Sequence, residues 1–200
     1  MSLLVETIRS EDGKLLNTGF HNERMTSSLF DLFGLRTEID VDNIITVPPY
    51  AYQGLYKCRI VYDNKSFEIE FVPYKIRQVK SLKMITDNNI KYPYKFTDRS
   101  GLNKLTELKG DCDDILIIQN GMVTDSSYAN VVFKDLNGNW FTPSTYLLQG
   151  TMRSSLLKQG LISETTISYK DIGKYSEVRL INAMIGIDDS EGILIEKIIG

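Results

Sequence analysis

The sequence predicts an α+β protein that is rich in strands and divided into two lobes. Several short apolar segments are separated by turn residues, and only a few segments show helical spacing. Aromatic residues make up 10% of the 200 residues, which is typical of strand-rich structure. Hydrophobic residues make up 42% and charged residues 24%, so the composition is that of a folded chain and excludes a wholly disordered one.

The first predicted lobe covers residues 1–78. Its predicted elements are a strand over residues 3–9, a helix over residues 21–33 and a hairpin with strands over residues 55–62 and 67–72. Apolar residues recur at helical spacing in the predicted helix, and Gly34 can end it. In the last strand Phe67, Ile69 and Phe71 alternate with glutamates, which predicts one buried and one exposed face.

The second predicted lobe covers residues 79–200 and is the larger one. Its predicted elements are a helix that begins near Asp98 or Ser100, hairpins over residues 115–124 and 129–142, a helix over residues 151–159, and strands over residues 177–184 and 193–198. The turn Asn120-Gly121 is the strongest hairpin signal in the chain. The first of the two helices is expected to carry Leu102, Leu105 and Leu108 on one apolar face.

The charge balance excludes some classes of partner. Lysine and arginine number 23 against 26 aspartates and glutamates, a net charge of −3, and a nucleic-acid-binding protein would usually show a basic excess. No apolar run approaches the length of a membrane span. The first residues reach a charge at Glu6, too early for a signal peptide. We therefore expect a soluble, cytoplasmic protein that binds neither nucleic acid nor membrane.

Metal and hydrolase chemistry have little support in the residue inventory. Cys58 and Cys112 are far apart and form no disulfide framework. His21 is the single histidine, so a zinc cage is not expected, and a Ser-His-Asp or Cys-His hydrolase would have to use it. The sequence leaves open whether His21 is a functional residue or merely an ordinary residue at the start of a helix.

The order of several motifs indicates a function. The segments are His21–Arg24 (H-x-x-R), Lys95–Arg99 (K-x-x-D-R), Val123–Val131 (V-T-D-S-S-Y-A-N-V), Trp140–Arg153 (T-P followed by L-Q-G-T-M-R) and Arg179–Ala183. Each is weak evidence by itself. Together they resemble, in order and approximate spacing, the fold-type IV pyridoxal-phosphate enzymes, a family that includes class IV aminotransferases and aminodeoxychorismate lyase.

The resemblance implies a fold, a cofactor and an assembly. The implied fold has two small mixed α/β lobes with pyridoxal 5'-phosphate in the cleft between them. The active sites of the family lie at a dimer interface, so a homodimer is expected. The family's strand with the sequence E-T-x-R usually lies further into the chain, whereas here Glu6-Thr7-Ile8-Arg9 lies near the start. We therefore expect a trimmed small lobe.

The resemblance also assigns roles to individual residues. Lys95 would bind the cofactor covalently and move the substrate proton, whereas Lys83 and Lys91 lack the Asp-Arg context. Asp125, in place of the family's glutamate, would keep the pyridine nitrogen protonated. The remaining cofactor-binding residues would be Arg24, Gly150, Thr151, Met152 and Asn182 at the phosphate and Leu148 on the ring.

Each of these assignments has a plainer alternative. Lys95 could be a surface lysine, Arg24 a solvated helix residue, Asp125 a turn aspartate and Gly150 a simple turn residue. For the substrate carboxylate, Arg59 is the candidate, because the family often places an arginine in the comparable strand. Its alternative is the exposed face of that strand.

The motif details favour one activity over others. The K-x-x-D-R context and Asn182-Ala183 resemble the lyase, which eliminates pyruvate from 4-amino-4-deoxychorismate to give 4-aminobenzoate for folate synthesis. The alternative is an aminotransferase for D- or branched-chain amino acids. A third hypothesis, of another class, is a non-catalytic homologue that binds the cofactor without turnover.

Overall fold

The computed structural model describes residues 3–200, which form two compact units. The first unit ends at Lys75 and also contains Tyr94–Asp98, and the second contains Ile76–Pro93 and Arg99–Gly200. The sequence placed the boundary between residues 78 and 79 and assigned residues 94–98 to the second lobe. The difference arises because this segment bonds to the first strand: Val5 N–H donates to the Lys95 carbonyl at 2.8 Å.

The first unit is a four-stranded antiparallel sheet with one long helix. Its elements are the strands β1 (Leu4–Glu11), β2 (Lys14–Leu15), β3 (Leu55–Tyr62) and β4 (Phe67–Pro73), and the helices α1 (Thr18–Phe33) and α2 (Val41–Ile44). The strand order is β2-β1-β3-β4. The predicted hairpin is confirmed, and α1 begins three residues before the predicted start and ends at Gly34, whose φ of 69° is the left-handed conformation that favours glycine.

The core of the first unit lies over β1 and β3. Its buried residues are Leu4, Ile8, Met25, Leu29, Val41, Ile45, Cys58, Ile60 and Tyr62. The buried face predicted for β4 forms only in part, since Phe67 is 54% exposed. Ile69 and Phe71 are only partly buried against the core. The physical reason is that β4 is the edge strand of this sheet.

The second unit is built on a mixed sheet. Its strands are β5 (Leu82–Thr86), β6 (Asp114–Gln119), β7 (Met122–Ser126), β8 (Asn130–Asp135), β9 (Trp140–Pro143), β10 (Ser163–Thr165), β11 (Tyr175–Ile181), β12 (Ile193–Leu194) and β13 (Ile198–Ile199). The main order is β10-β9-β8-β7-β6-β5-β13, and β11 pairs with β8 and β12. The two hairpins predicted over 115–124 and 129–142 are confirmed as β6–β7 and β8–β9.

The second unit also contains two helices, α3 (Ser100–Thr106) and α4 (Thr151–Lys158). The expectation that α3 carries Leu108 was wrong: α3 ends at Thr106, a 3-10 turn follows, and Leu108 is 59% exposed. The predicted strand over 193–198 is interrupted by the 3-10 turn Ile195–Lys197. Within residues 3–200, no helix is long and apolar enough to cross a membrane.

Candidate active site

A buried charged cluster lies between β1 and α1 in the first unit. Glu6 lies on the same face of β1 as the core residues Leu4 and Ile8, and its side chain is fully buried. His21 Nδ1 lies 2.6 Å from Glu6 Oε2. Arg24 donates to the same carboxylate twice, from Nε to Oε1 at 2.8 Å and from Nη2 to Oε2 at 2.5 Å. Glu6 therefore binds two residues that α1 places one turn apart.

Electrostatics fix the charge states in this cluster. Burial acts to raise the pKa of Glu6, but the charge of Arg24 and the contact with His21 outweigh it and hold that pKa well below its usual range. Burial is the largest cause that lowers the pKa of His21, and together with the charges of Arg24 and Lys95 it outweighs the raising effect of Glu6. A neutral imidazole beside an ionised carboxylate must donate, so we assign the proton to Nδ1.

Arg24 is therefore not a solvated helix residue. Its side chain is 13% exposed, and Glu6 holds the Nε–Nη2 edge of its guanidinium. A guanidinium carries five N–H groups in a planar fork, which suits it to phosphate as well as to carboxylate groups. The phosphate-binding role of Arg24 stays a prediction that this geometry permits.

Lys95 belongs to the same unit as this cluster. Its side chain is partly buried, and its backbone carbonyl is bonded to Val5. Its charge contributes to lowering the pKa of His21, so the two side chains interact electrostatically. The two rival lysines differ, because Lys91 is exposed and Lys83 donates to the Gly200 carbonyl at 2.6 Å.

The second unit places a buried carboxylate at the end of β7. Asp125 is 5% exposed. Its Oδ2 accepts from the Leu147 and Leu148 N–H groups at 2.7 and 3.1 Å, and its Oδ1 accepts from Asn130 Nδ2 at 2.7 Å. Within residues 3–200 no lysine, arginine or histidine forms an ion pair with this carboxylate.

This environment suits a cationic ligand. Burial raises the pKa of Asp125 to about 6, although the hydrogen bonds from Asn130 and the two backbone N–H groups act in the opposite direction. Three donors leave part of the carboxylate's accepting capacity unused. A protonated pyridine nitrogen would supply both a donor and the missing positive charge, so the residues present fit pyridoxal phosphate.

The other residues predicted to bind the cofactor lie in the segment that follows. Leu148 contributes its N–H to Asp125, Gly150 precedes α4, and Thr151 and Met152 open that helix. The first turn of a helix directs backbone N–H groups outward, which favours anions. A Cβ at Gly150 would lie 1.9 Å from Asn130 Oδ1, so only glycine fits, and Gly150 is more than a simple turn residue.

Two predicted site residues have other contacts. Asn182 Oδ1 accepts from Met184 N–H at 2.8 Å, which explains a polar residue there without a phosphate. Arg59 lies on the face of β3 opposite the core and donates to Glu70 Oε1 at 3.1 Å, with side chains 37% and 54% exposed. This pairing favours the exposed-face interpretation of Arg59. The roles predicted for both residues stay untested.

Two polar residues of these clusters had no role in the sequence analysis. Glu6 is a lone acidic residue in an otherwise apolar alternation, which is a signal for a buried partner. Asn130 lies within a quoted motif, opposite Asp125 across the β7–β8 pair. Among residues 3–200, no group of three histidine, cysteine, aspartate or glutamate side chains could hold a metal ion. Burial raises the pKa of the Cys58 thiol to about 12, so it stays protonated.

Fold and site together define a class: a mixed α/β pyridoxal-phosphate-dependent enzyme of fold type IV. Residues 102–188 match the sequence model of a protein family described as amino-transferase class IV. An uncharacterized protein from Haemophilus influenzae is 36% identical over 187 residues, which cover 92% of this chain and 98% of that protein. The chain belongs to the class IV aminotransferase family, whose cofactor is pyridoxal 5'-phosphate.

Solved structures agree with this membership. A candidate 4-amino-4-deoxychorismate lyase from Haemophilus somnus has a TM-score of 0.88 at 35% identity, with 94% of this chain and 98% of that chain covered. A hypothetical aminotransferase from Mycobacterium tuberculosis, in a pyridoxal-phosphate-bound form, has a TM-score of 0.73 at 14% identity, covering 98% and 81%. The branched-chain amino acid aminotransferase from Escherichia coli has a TM-score of 0.68 at 15% identity, covering 97% and 78%. The last two similarities show the fold alone.

Proposed function

We propose that this protein eliminates pyruvate from 4-amino-4-deoxychorismate and releases 4-aminobenzoate. The observation that carries the proposal is the 35% identity, over nearly the full length of both chains, to the candidate lyase from Haemophilus somnus. The two aminotransferases compared above are only 14% and 15% identical. The K-x-x-D-R segment at Lys95 supports the same choice.

We assign a separate role in this reaction to each of the candidate site residues. When bound, pyridoxal phosphate supplies an electron sink for the electrons of the bond that breaks at the substrate carbon. Lys95 would bind the cofactor covalently, and its amine would then move the substrate proton. Asp125 would hold a proton on the pyridine nitrogen. Arg24 and the N–H groups at Gly150–Met152 would bind the phosphate.

The proposed reaction is balanced without a second substrate. A proton leaves the ring carbon that carries the amino group, and the bond between the ring and the enolpyruvyl oxygen breaks. The ring becomes aromatic as 4-aminobenzoate, and the enolpyruvyl fragment leaves as pyruvate. The two products account for every atom of aminodeoxychorismate, so no oxidant and no amino acceptor are needed.

Product analysis tests the proposal. Holoenzyme is incubated with aminodeoxychorismate, and pyruvate and 4-aminobenzoate are measured; a parallel assay supplies an amino acid with 2-oxoglutarate and measures glutamate. Equal amounts of pyruvate and 4-aminobenzoate, without glutamate, support the lyase. A Lys95→Ala variant should lose this activity, whereas Lys91→Ala, at an exposed lysine of the neighbouring sequence, should retain it.

The same pair of assays decides the alternatives. Membership of the class IV aminotransferase family favours an aminotransferase as the second candidate, and glutamate formation without pyruvate would establish it. Neither product from cofactor-loaded protein would indicate a non-catalytic homologue. The presence of Lys95 and of the buried carboxylate of Asp125, unpaired within residues 3–200, argues against that homologue. Arg24 does not distinguish the two cases, because its pair with Glu6 also stabilises the fold.

The proposal includes a homodimer in the cytoplasm. The dimer is expected from the family resemblance, and exposed aromatic side chains support it, among them Tyr50, Tyr52 and Phe67 at 63%, 55% and 54% exposure. Light scattering on the purified protein should give twice the 22.8 kDa of the chain. A mass of one chain at micromolar concentration would contradict it.

A further inference from the structure

One side chain in the second unit bonds both to the carboxylate proposed for the pyridine nitrogen and to the backbone two residues before Gly150, where the segment proposed for the phosphate begins. Asn130 Nδ2 donates to Asp125 Oδ1 at 2.7 Å and to the Leu148 carbonyl at 2.9 Å. Asn130 is 6% exposed. Both N–H bonds of its amide group are thus used inside the protein.

The two contacts fix the orientation of this amide. Turned over, the amide would place its oxygen against two other oxygens, the Asp125 carboxylate and the Leu148 carbonyl. In the observed orientation Oδ1 faces Gly150, in the space that a Cβ would occupy at 1.9 Å. The absence of a side chain at Gly150 and the position of the Asn130 amide are therefore linked.

We propose that Asn130 is a positioning residue that holds the Asp125 carboxylate and the Leu148–Gly150 segment at a fixed separation, so that one cofactor molecule can bind to both. The inference rests on the proposed cofactor-binding roles of Asp125 and of the start of α4. It adds a residue to which the sequence assigned no role.

The physical reason is the shape of the cofactor. Pyridoxal phosphate carries its ring nitrogen and its phosphate on one small, nearly rigid molecule, so the two protein groups that bind them must keep one spacing. Groups placed loosely would each bind their end more weakly, because binding would then have to order them. Asn130 bonds to both groups and removes part of that freedom before the cofactor arrives.

The first measurement compares cofactor affinities. Parent, Asn130→Ala and Asn139→Ala are titrated with pyridoxal phosphate and with pyridoxal, which lacks the phosphate. Asn139 is the matched control, since its Nδ2 also donates to an aspartate, Asp135, at 3.1 Å, but on an exposed hairpin. We expect Asn130→Ala to weaken pyridoxal-phosphate binding at least tenfold, roughly 1.4 kcal/mol, and pyridoxal binding less. Asn139→Ala should leave both affinities unchanged.

A second measurement detects positioning in the protein without cofactor. Carboxyl-carbon NMR should show the Asp125 pKa rising in Asn130→Ala, because a hydrogen bond that favours the charged form is lost. If Asn130→Ala does not fold, Gly150→Ala displaces the Asn130 amide from the other side and should raise the same pKa. An unchanged Asp125 pKa in the folded variant would overturn the proposal.

A double-mutant cycle separates positioning from general packing. In an Asp125→Asn background, Asn130→Ala should weaken pyridoxal-phosphate binding by less than threefold, because the partner it orients has been altered. Full additivity of the two effects would overturn the inference. A parent that binds no pyridoxal phosphate would instead overturn the proposed function, while parent-like binding by Asn130→Ala would overturn only the role of Asn130.

Discussion

Glu6 and Arg24 form a buried two-point ion pair, with hydrogen bonds of 2.8 and 2.5 Å between β1 and α1. The pair lies against the apolar core of the first unit, next to a neutral His21. A second Glu–Arg pair, Glu70 with Arg59, bonds at 3.1 Å on the exposed face of the same sheet. These two pairs have the same chemistry and differ in burial.

The buried pair should matter far more for stability than the exposed one. Glu6→Gln removes the partner of a buried charge and should lower the free energy of unfolding by about 3–5 kcal/mol. Glu70→Gln should change it by about 0–1 kcal/mol, because solvent screens that pair. Urea unfolding of the two apo variants measures both values. Equal losses would mean that burial does not determine the strength of these pairs.

Asp125 should destabilise the apo protein above neutral pH. Its pKa of about 6 is raised above the ordinary 3.8, so the folded state holds its proton more tightly than the unfolded state. The contribution of Asp125 to the free energy of unfolding is therefore fully present below pH 3.8 and is lost as pH rises through 6. Relative to the parent, Asp125→Asn should gain about 2–3 kcal/mol of unfolding free energy between pH 4 and pH 7.5.

Denaturant unfolding of both proteins across this pH range gives the difference. The control is Asp135→Asn, an aspartate on the exposed β8–β9 hairpin whose pKa is lowered by its hydrogen bonds. That variant should show no gain as pH rises. If Asp125→Asn and the parent differ in free energy of unfolding by the same amount at every pH, the raised pKa of Asp125 is contradicted.

In the enzyme loaded with pyridoxal phosphate, Asp125→Asn should be harmful, although it stabilises the apo protein. Asp125→Asn removes the charge that holds a proton on the pyridine nitrogen, and a lost buried charge partner is worth about 2–5 kcal/mol. Turnover should therefore fall by between about 30-fold and several thousand-fold, with cofactor still bound. Steady-state kinetics at saturating pyridoxal phosphate measures this, and unchanged turnover would mean that another group pairs with the ring.

Arg59→Lys tests the predicted substrate contact. If Arg59 binds a substrate carboxylate through two parallel bonds, lysine cannot reproduce that geometry, and kcat/KM should fall at least tenfold, roughly 1.4 kcal/mol. The contact with Glu70 leads us to expect the other result, a change of less than threefold. A tenfold loss would show that Arg59 leaves Glu70 when substrate binds.

The features predicted correctly from sequence depend on neighbours along the chain. The β6–β7 and β8–β9 hairpins follow from their turn residues, and the end of α1 follows from Gly34. By contrast, β5 was not predicted, because its partners β6 and β13 are parallel strands that lie far along the chain. A short segment such as Leu82–Thr86 carries no local signal of such pairing.

The candidate site shows the same contrast between what neighbouring residues determine and what long-range contacts determine. The motifs pointed to Arg24, Lys95 and Asp125 as candidate site residues, but not to the residues that bond to two of them, Glu6 and Asn130. Glu6 is 18 residues from Arg24 in the chain, and only the packing of α1 on β1 brings them together. Asn130 is five residues from Asp125, yet its second bond, to Leu148, spans 18 residues. Long-range contacts of this kind depend on the fold and are not visible in residue spacing.

Covalent trapping of the cofactor tests the central claim most directly. The protein is purified, loaded with pyridoxal phosphate and reduced with borohydride, and the labelled peptide is identified by mass spectrometry. We predict a yellow protein before reduction and a single adduct on Lys95. An adduct on Lys83 or Lys91 instead, or a Lys95→Ala protein that retains full activity, would contradict the account.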